Sequence, residues 1–125
     1  MKTNIISIIN QKGGVGKTTT VINLATAIAQ KNQKILVIDL DPQGNATTGL
    51  GKSNNDENKN IYNLLIGKLK LDEVIQKSNI GGLDLISSNV NLSGLEIETA
   101  HEPKRAFILK DILRNEKNSL INQYD

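Results

Sequence analysis

The chain has 125 residues, enough for one small domain, and its formal net charge of +2 is too small to indicate nucleic acid or a membrane surface as a partner. It contains no cysteine, which excludes disulfides, thiolate nucleophiles and thiolate metal sites. Apolar residues make up 38% of the sequence, with one Phe, two Tyr and no Trp, and this aliphatic composition favours buried parallel strands.

The N-terminal segment contains a short β-branched run, which predicts a buried strand. The run consists of Ile5, Ile6, Ile8 and Ile9. Its interruption by Ser7 and the lack of a small-residue cleavage site argue against a signal peptide. No apolar stretch approaches the roughly 18–20 residues that a membrane span needs, so we expect a cytoplasmic protein without a membrane segment.

A helix and a second strand are predicted next. Apolar residues recur at i, i+3, i+4, i+7 and i+8 from Val21 onward, which predicts a helix from about Thr18 to Lys31. The continuous apolar run Ile35–Asp39 predicts a buried strand. Because strand, glycine loop, helix and strand follow one another within about 35 residues, we expect a βαβ unit and an α/β fold with a parallel sheet.

The middle of the chain changes character. The segment from Asp41 to Asn60 is rich in Gly, Asn, Ser and Thr and has no apolar period, so it predicts a long loop. Two short helices are predicted after it, over residues 61–69 and 71–77, separated at Gly67.

A third strand and a last helix complete the predicted elements. The Gly81-Gly82 turn precedes a strand predicted around Leu83 to Ser87. Pro103 is predicted in the first turn of the last helix. The residues predicted to face inward from this helix are Ala106, Leu109, Ile112 and Leu113.

The chemistry is concentrated in the loop NQKGGVGKTTT, residues 10–20, between the first predicted strand and the first predicted helix. Its glycines allow successive backbone N–H groups to point at one anion, which also meets the positive end of the following helix. Lys17 is predicted to bridge the β- and γ-phosphates of a nucleotide, and the Thr18 hydroxyl to complete a Mg²⁺ shell. The alternative is a glycine-rich turn that only connects strand to helix.

The loop resembles a known family. KGGVGKTTT, with Lys12 as an extra lysine, and ILVIDLDPQGNATTGLG resemble the ParA/Soj branch of the ParA/MinD family of partitioning ATPases. The resemblance runs from about Ile5 to Leu50 and continues more loosely through GLDLISSNVNLSGLEIE. It implies a P-loop NTPase-type, three-layer α/β fold with a mainly parallel sheet, and a MgATP-dependent role in chromosome or plasmid partitioning. DPQGNAT favours this branch over the cell-division branch.

The resemblance also implies roles for the site residues. Lys12 reaches the nucleotide of the other subunit in a homodimer, which makes ATP a dimerisation switch, and Asp41 orients the attacking water. Asp39, at the carboxyl end of a strand, is expected to hold Mg²⁺ through water, and the segment Gln43–Gly51 to respond to the γ-phosphate. The expected nucleotide-binding residues are Gly13, Gly14, Val15, Gly16, Lys17, Thr18 and Thr19. A solvated loop lysine for Lys12 and a turn-forming role for Asp41 remain open alternatives.

Other polar residues are interpreted as surface residues. His101 has no second ligand at metal spacing, which favours a surface imidazole. A basic set could contact DNA phosphates, but a solvated helix face is the preferred interpretation. That set is Lys104, Arg105, Lys110 and Arg114.

The resemblance places the whole chain, 1–125, in the N-terminal portion of a single nucleotide-binding domain. By this comparison the Walker B strand, the adenine-binding segment, most of the dimer surface and the DNA-binding residues lie beyond Asp125. In the family the Walker B strand lies between the glycine-loop strand and the strand of Asp39, so we expect marginal stability and weak or absent ATPase activity. Non-specific DNA and a ParB-like centromere-binding protein are partners implied by the resemblance alone. The alternatives are an inactive truncated or split-gene product that at most binds nucleotide, and a P-loop small-molecule kinase or ligase.

Overall fold

A computed structural model describes residues 3–10, 13–14, 16–53, 58–115 and 119–125. Six α-helices and three strands are assigned within these ranges, together with three short 3₁₀ segments. In chain order the elements are α1 (Lys17–Ala29), β1 (Ile35–Ile38), α2 (Asn45–Gly49), α3 (Ile61–Leu65), α4 (Leu71–Val74), β2 (Ile75–Lys77), β3 (Leu83–Ile86), a 3₁₀ turn (Val90–Gly94), α5 (Leu95–Glu98), a 3₁₀ turn (Arg105–Phe107), α6 (Ile108–Arg114) and a 3₁₀ turn (Ser119–Gln123).

The sheet has the strand order β1-β3-β2 and is mixed. β1 and β3 are parallel, with Ile35 opposite Leu83, whereas β2 is antiparallel to β3, with Ile75 opposite Ile86. The connection from β2 to β3 is too short for a crossover, so these two strands can only form an antiparallel pair. The α/β class is therefore confirmed, with one parallel and one antiparallel strand pair in the described sheet.

Two apolar clusters lie on opposite faces of the sheet, because successive side chains of a strand point to opposite sides. Leu83 and Leu85 of β3 pack with α1, whereas Ile86 packs with α3, α4 and α6. All four residues of β3 are buried, as expected for a central strand covered on both faces. The arrangement is the three-layer α/β architecture that the resemblance implied.

Several predicted elements are confirmed with small shifts of their ends: α1, β1 and β3. The first short helix, predicted over 61–69, is confirmed as α3 but ends at Leu65. The long polar loop is not structureless, since it contains α2. The second predicted helix, 71–77, is wrong in its second half, because pairing with β3 makes residues 75–77 a strand. The last helix begins later than predicted: Pro103 lies in a turn before the 3₁₀ segment, and Ala106 is exposed, whereas Leu113 is buried.

The prediction of a buried N-terminal strand is wrong for this structure. No strand pairing in the described part of the chain includes residues 3–10, and Ile5, Ile6 and Ile9 are 57%, 69% and 83% exposed. A strand needs a hydrogen-bonded neighbour along its length, whereas among the described residues this segment makes one backbone–backbone hydrogen bond, from Asn4 to Asp125. Of the expected βαβ unit, the described structure therefore contains the helix α1 and the strand β1 but not the first strand.

Among the described helices, none has the length and apolar character that crossing a bilayer requires.

Candidate functional site

The glycine loop leads into α1 through Gly16, which has φ 86° and occupies the helix N-cap position. A residue with a side chain is strained in this left-handed conformation, so glycine suits the position. Gly13, Gly14 and Gly16 are exposed, and a Cβ atom added at any of the three meets no other atom within 4 Å. The space beside these three glycines is therefore open to solvent. Lys12 and Val15, both predicted site residues, lie outside the described residues.

The N-terminus of α1 is suited to binding an anion. Its N-cap residue, Gly16, has no side chain that could cap it, and its first turn carries no acidic residue. The first backbone N–H groups of a helix have no partner within the helix, and together with the helix dipole they attract an anion. Thr20 is the first residue whose N–H is bonded inward, to the carbonyl of Gly16 at 2.8 Å.

The side chains at this helix start are accessible. Lys17 and Thr18 are half-buried and Thr19 is exposed. The Lys17 ammonium donates to the carbonyl of Asn10 in a long, exposed contact of 3.5 Å, which spans the base of the loop. A contact of this length is weak, so little is lost when the ammonium turns toward another acceptor.

The packing of α1 places its N-terminus near the end of β1. Ala29, the last residue of α1, lies against Gly82, whose carbonyl accepts from the N–H of Ile35 where β1 begins. Val37 of β1 packs in the same cluster as the α1 residues Ala25 and Ala29. Because α1 thus runs back along β1, its start lies toward the carboxyl edge of the sheet, where α/β folds place their ligands.

Asp39 lies at that carboxyl edge, directly after β1, and is 4% exposed. Its Oδ1 accepts from the N–H of Asp41 at 3.0 Å. Its Oδ2 accepts from the N–H of Thr47 at 2.9 Å and from the Thr47 hydroxyl at 2.7 Å. The buried carboxylate is thus satisfied by three donors and tied to α2.

Asp41 forms a turn in this structure. Its Oδ1 accepts from the N–H of Gln43 at 3.0 Å, and its carbonyl accepts from the N–H of Gly44 at 2.8 Å. A carboxylate bonded to the N–H two residues on is an Asx turn, which is the structural role left open for this residue. The half-buried side chain lies two residues from Asp39, so the turn keeps both carboxylates on one short segment.

The segment that carries these carboxylates packs against the helix of the glycine loop. α2 contacts α1, and a Cβ added at Gly49 would overlap the Cδ1 atom of Ile22. Leu50, directly after α2, is fully buried in the same cluster as α1. α1 and α2 therefore pack together, and Asp39 is joined to this region by its bonds to Thr47.

Thr47 and Ser88 were missed by the sequence interpretation. Thr47 is fully buried, and its hydroxyl accepts from the N–H of Ser88 at 3.0 Å, after β3. A threonine in a polar loop has no periodic signal. The rule that ligands bind at carboxyl ends of parallel strands would have directed attention to Ser88, as it did to Asp39.

The remaining polar candidates, His101 and the basic residues near the last helix, lie on the surface. His101 is exposed, and no group of three or more His, Cys, Asp or Glu able to hold a metal occurs among residues 3–10, 13–14, 16–53, 58–115 and 119–125. The basic residues of the last helix region are also exposed. The Lys110 ammonium lies 5.3 Å from the centre of the Phe107 ring, a cation–π contact on the surface.

Comparison with known proteins gives a family match over nearly the whole chain. A family model described as an AAA domain matches residues 3–125. The chromosome partitioning protein ParA of Caulobacter vibrioides is 44% identical over 109 residues, which cover 87% of this chain and 41% of that protein. The chain thus spans less than half the length of the curated relatives it matches.

Two solved structures are similar to the described fold. A plasmid partition protein from Borrelia burgdorferi matches with a TM-score of 0.82 and 32% identity, over 99% of this chain and 54% of that one. The cobyrinic acid a,c-diamide synthase of Mycobacterium smegmatis, with bound ADP and magnesium, matches with a TM-score of 0.90 and 30% identity, over 99% of this chain and 49% of that one.

Proposed function

Because the chain belongs to the AAA domain family, among the ParA/MinD-type partitioning ATPases, we propose that it is the MgATP-binding part of a ParA/Soj-type ATPase. The observation that carries the proposal is the uncapped N-terminus of α1, which follows the left-handed Gly16 and has no acidic residue in its first turn. Backbone N–H groups and the helix dipole there suit a polyphosphate. The bound ADP and magnesium of the Mycobacterium smegmatis neighbour support this assignment.

The residues present fit a nucleotide with its metal. The loop glycines leave open space for phosphates, and the weakly held Lys17 ammonium is available to the β- and γ-phosphates. The half-buried Thr18 hydroxyl and the Asp39 carboxylate are oxygen donors, the ligand type that Mg²⁺ prefers. When bound, Mg²⁺ neutralises phosphate charge. Asp39 already receives three hydrogen bonds, so its proposed role is to accept from metal-bound water.

Catalysis requires more than nucleotide binding, and its residues are proposed from the resemblance. Asp41 is proposed to orient the attacking water, and Lys12 to reach the nucleotide of a second subunit in an ATP-dependent homodimer. The Asx turn at Asp41 fixes one of its oxygens, which restricts the orientation of the carboxylate. A ParB-like centromere-binding protein and non-specific DNA are proposed partners of the full-length ATPase. The 125 residues are proposed to form the N-terminal portion of one domain.

Two alternatives remain as test outcomes. A chain that binds nucleotide without hydrolysing it would be a catalytically inactive member of the family. The similarity to the Mycobacterium smegmatis synthase supports a second candidate, an ATP-dependent ligase of a small molecule. The higher identity to ParA and the DPQGNAT segment favour the partitioning function.

The experiment is a ligand-stabilisation measurement with paired lysine variants. ATP with Mg²⁺ at about 100 times Kd adds about 2.7 kcal/mol to the free energy of unfolding, which raises Tm. Lys17→Ala is expected to abolish this shift, whereas Lys31→Ala, which removes the same charge from an exposed position after α1, retains it. Lys12→Ala is expected to retain it as well, because its proposed target is in another subunit. A full shift in Lys17→Ala would refute the proposed phosphate site.

A further inference from the structure

The Thr47 hydroxyl occupies a position between the ends of two neighbouring parallel strands. It donates to Oδ2 of Asp39 at 2.7 Å and accepts from the N–H of Ser88 at 3.0 Å. All three residues are at least nine-tenths buried, with 0%, 4% and 1% of Thr47, Asp39 and Ser88 exposed. A hydroxyl has one donor and two acceptor sites, so this one is used in both directions.

The bonds from Thr47 determine which part of Asp39 remains available. Oδ2 receives both the N–H and the hydroxyl of Thr47, whereas Oδ1 receives the N–H of Asp41 alone. Each carboxylate oxygen accepts about two hydrogen bonds. Among the described residues, Oδ1 therefore keeps one acceptor site without a donor, whereas both acceptor sites of Oδ2 are used. The two bonds to Oδ2 fix the orientation of the carboxylate.

We infer that Thr47 is a positioning residue, which holds the Asp39 carboxylate so that Oδ1 faces the metal side of the nucleotide site. The inference rests on the proposed function, since it assigns Thr47 to the same site. Groups that orient metal-side carboxylates are hydrogen-bonded partners of this kind, and their removal weakens metal binding without direct contact with the metal. Thr47 contributes no bond to the nucleotide; it acts through Asp39.

The same hydroxyl couples α2 to β3. Without it, the buried N–H of Ser88 loses its acceptor, and Asp39 is held at Oδ2 by the backbone N–H of Thr47 alone. The Ser88 hydroxyl is buried and has no hydrogen-bond partner among the described residues, so it makes no bond to Asp39. The Thr47 hydroxyl is thus one of the bonds that hold α2 at the carboxyl edge, and it links α2 to the residue after β3.

The test compares Thr47→Val, which keeps the side-chain shape and removes the hydroxyl, with Thr47→Ser, which keeps the hydroxyl. Thr99→Val is the matched control, since Thr99 is also buried and its hydroxyl donates to the carbonyl of Leu95, outside the candidate site. Calorimetric titration measures the Kd for ATP with excess Mg²⁺ and, separately, with EDTA. Circular dichroism and urea unfolding of each variant report the folded fraction.

We expect Thr47→Val to raise the Kd for MgATP about tenfold and to leave the Kd for metal-free ATP within about twofold of the unmodified chain. Thr47→Ser and Thr99→Val retain the affinity of the unmodified chain for MgATP. In an Asp39→Ala background the Thr47→Val change adds no further loss of Mg²⁺-dependent affinity, because the residue acts through Asp39. If Thr47→Val unfolds, Thr47→Ala, which also removes the hydroxyl, replaces it in both backgrounds with the same expected loss of MgATP affinity.

Unchanged MgATP affinity in Thr47→Val overturns the inference, and so does an equal loss with and without Mg²⁺, which would indicate a structural role. A Thr47→Ser chain that binds MgATP as weakly as Thr47→Val also overturns it. The unmodified chain is titrated first, with and without Mg²⁺. If its affinity for ATP is the same in both titrations, the proposed metal site is refuted before any Thr47 variant is compared.

Discussion

The backbone N–H of Asp125 donates to the carbonyl of Lys34 at 2.9 Å, and the N–H of Lys34 donates to Oδ2 of Asp125 at 2.8 Å. The carbonyl of Asp125 in turn accepts from the N–H of Asn4 at 2.9 Å. Asp125 therefore lies between the residue before β1 and the N-terminal segment. The exposed N-terminal isoleucines lie beyond this junction, without a strand partner among the described residues.

The exposure of the N-terminal isoleucines predicts a small energetic role for them in this chain. Ile6→Ala is expected to change the free energy of unfolding by less than about 0.5 kcal/mol. Ile61→Ala, at a fully buried position of α3, is expected to lower it by about 2–5 kcal/mol, because it leaves a cavity in the core. Urea unfolding measures both. A loss at Ile6 similar to that at Ile61 would show that residues 3–10 are buried in solution.

The Tyr124 hydroxyl predicts a pH-dependent contribution to stability. It donates to Oδ2 of Asp84 at 2.7 Å, and burial together with this carboxylate raises the pKa of Tyr124 well above its usual value. Tyr124→Phe is expected to lower the free energy of unfolding by about 1 kcal/mol at pH 8, since the buried Asp84 loses a donor.

The sign of the pH effect follows from the raised pKa. An unfolded tyrosine ionises near pH 10, so the contribution of Tyr124 is complete below about pH 10 and is lost as the pH rises toward the folded-state pKa. The stability difference between the unmodified chain and Tyr124→Phe should therefore narrow above about pH 10. Urea unfolding from pH 8 to pH 11 checks this, and a difference that widens over that range would contradict it.

A third prediction concerns the stability contribution of Gly82, which lies at the amino edge of the sheet. Its φ is 80°, and a Cβ there would lie 3.2 Å from the carbonyl oxygen of Gln33. Gly82→Ala is expected to lower the free energy of unfolding by about 1–2 kcal/mol, because alanine is strained in this conformation. Gly81→Ala is the matched control, with no such φ and no atom within 4 Å. Equal effects of the two substitutions in thermal unfolding would contradict the observed turn.

The elements that could be predicted from the sequence are those with a local signal. The helical repeat from Val21 to Ala29 gave α1, and the apolar run before Asp39 gave β1. β2 could not be predicted, because its strand conformation depends on pairing with β3. The N-terminal run had a strand signal but no paired strand here, since a ladder requires a neighbour that local sequence does not specify.

The residues of the candidate site also divide into those with a local sequence signal and those without one. Gly16 and Lys17 follow from the glycine loop, and Asp39 follows from its place at the end of a strand. Thr47 could not be identified, because its importance comes from a hydrogen bond to Ser88, 41 positions away. The turn at Asp41 was an open alternative, and its geometry became visible only with the bond to the N–H of Gln43.

The central claim, that the glycine loop before α1 binds MgATP, is tested most directly by following backbone amide NMR signals during titration with ATP and Mg²⁺. We predict saturable shifts at Gly13, Gly14 and Gly16, with the amides of Gly81 and Gly82 unchanged, because these two lie at the opposite edge of the sheet. Loop amides that stay in place at saturating MgATP, or shifts confined to other residues, would contradict the claim.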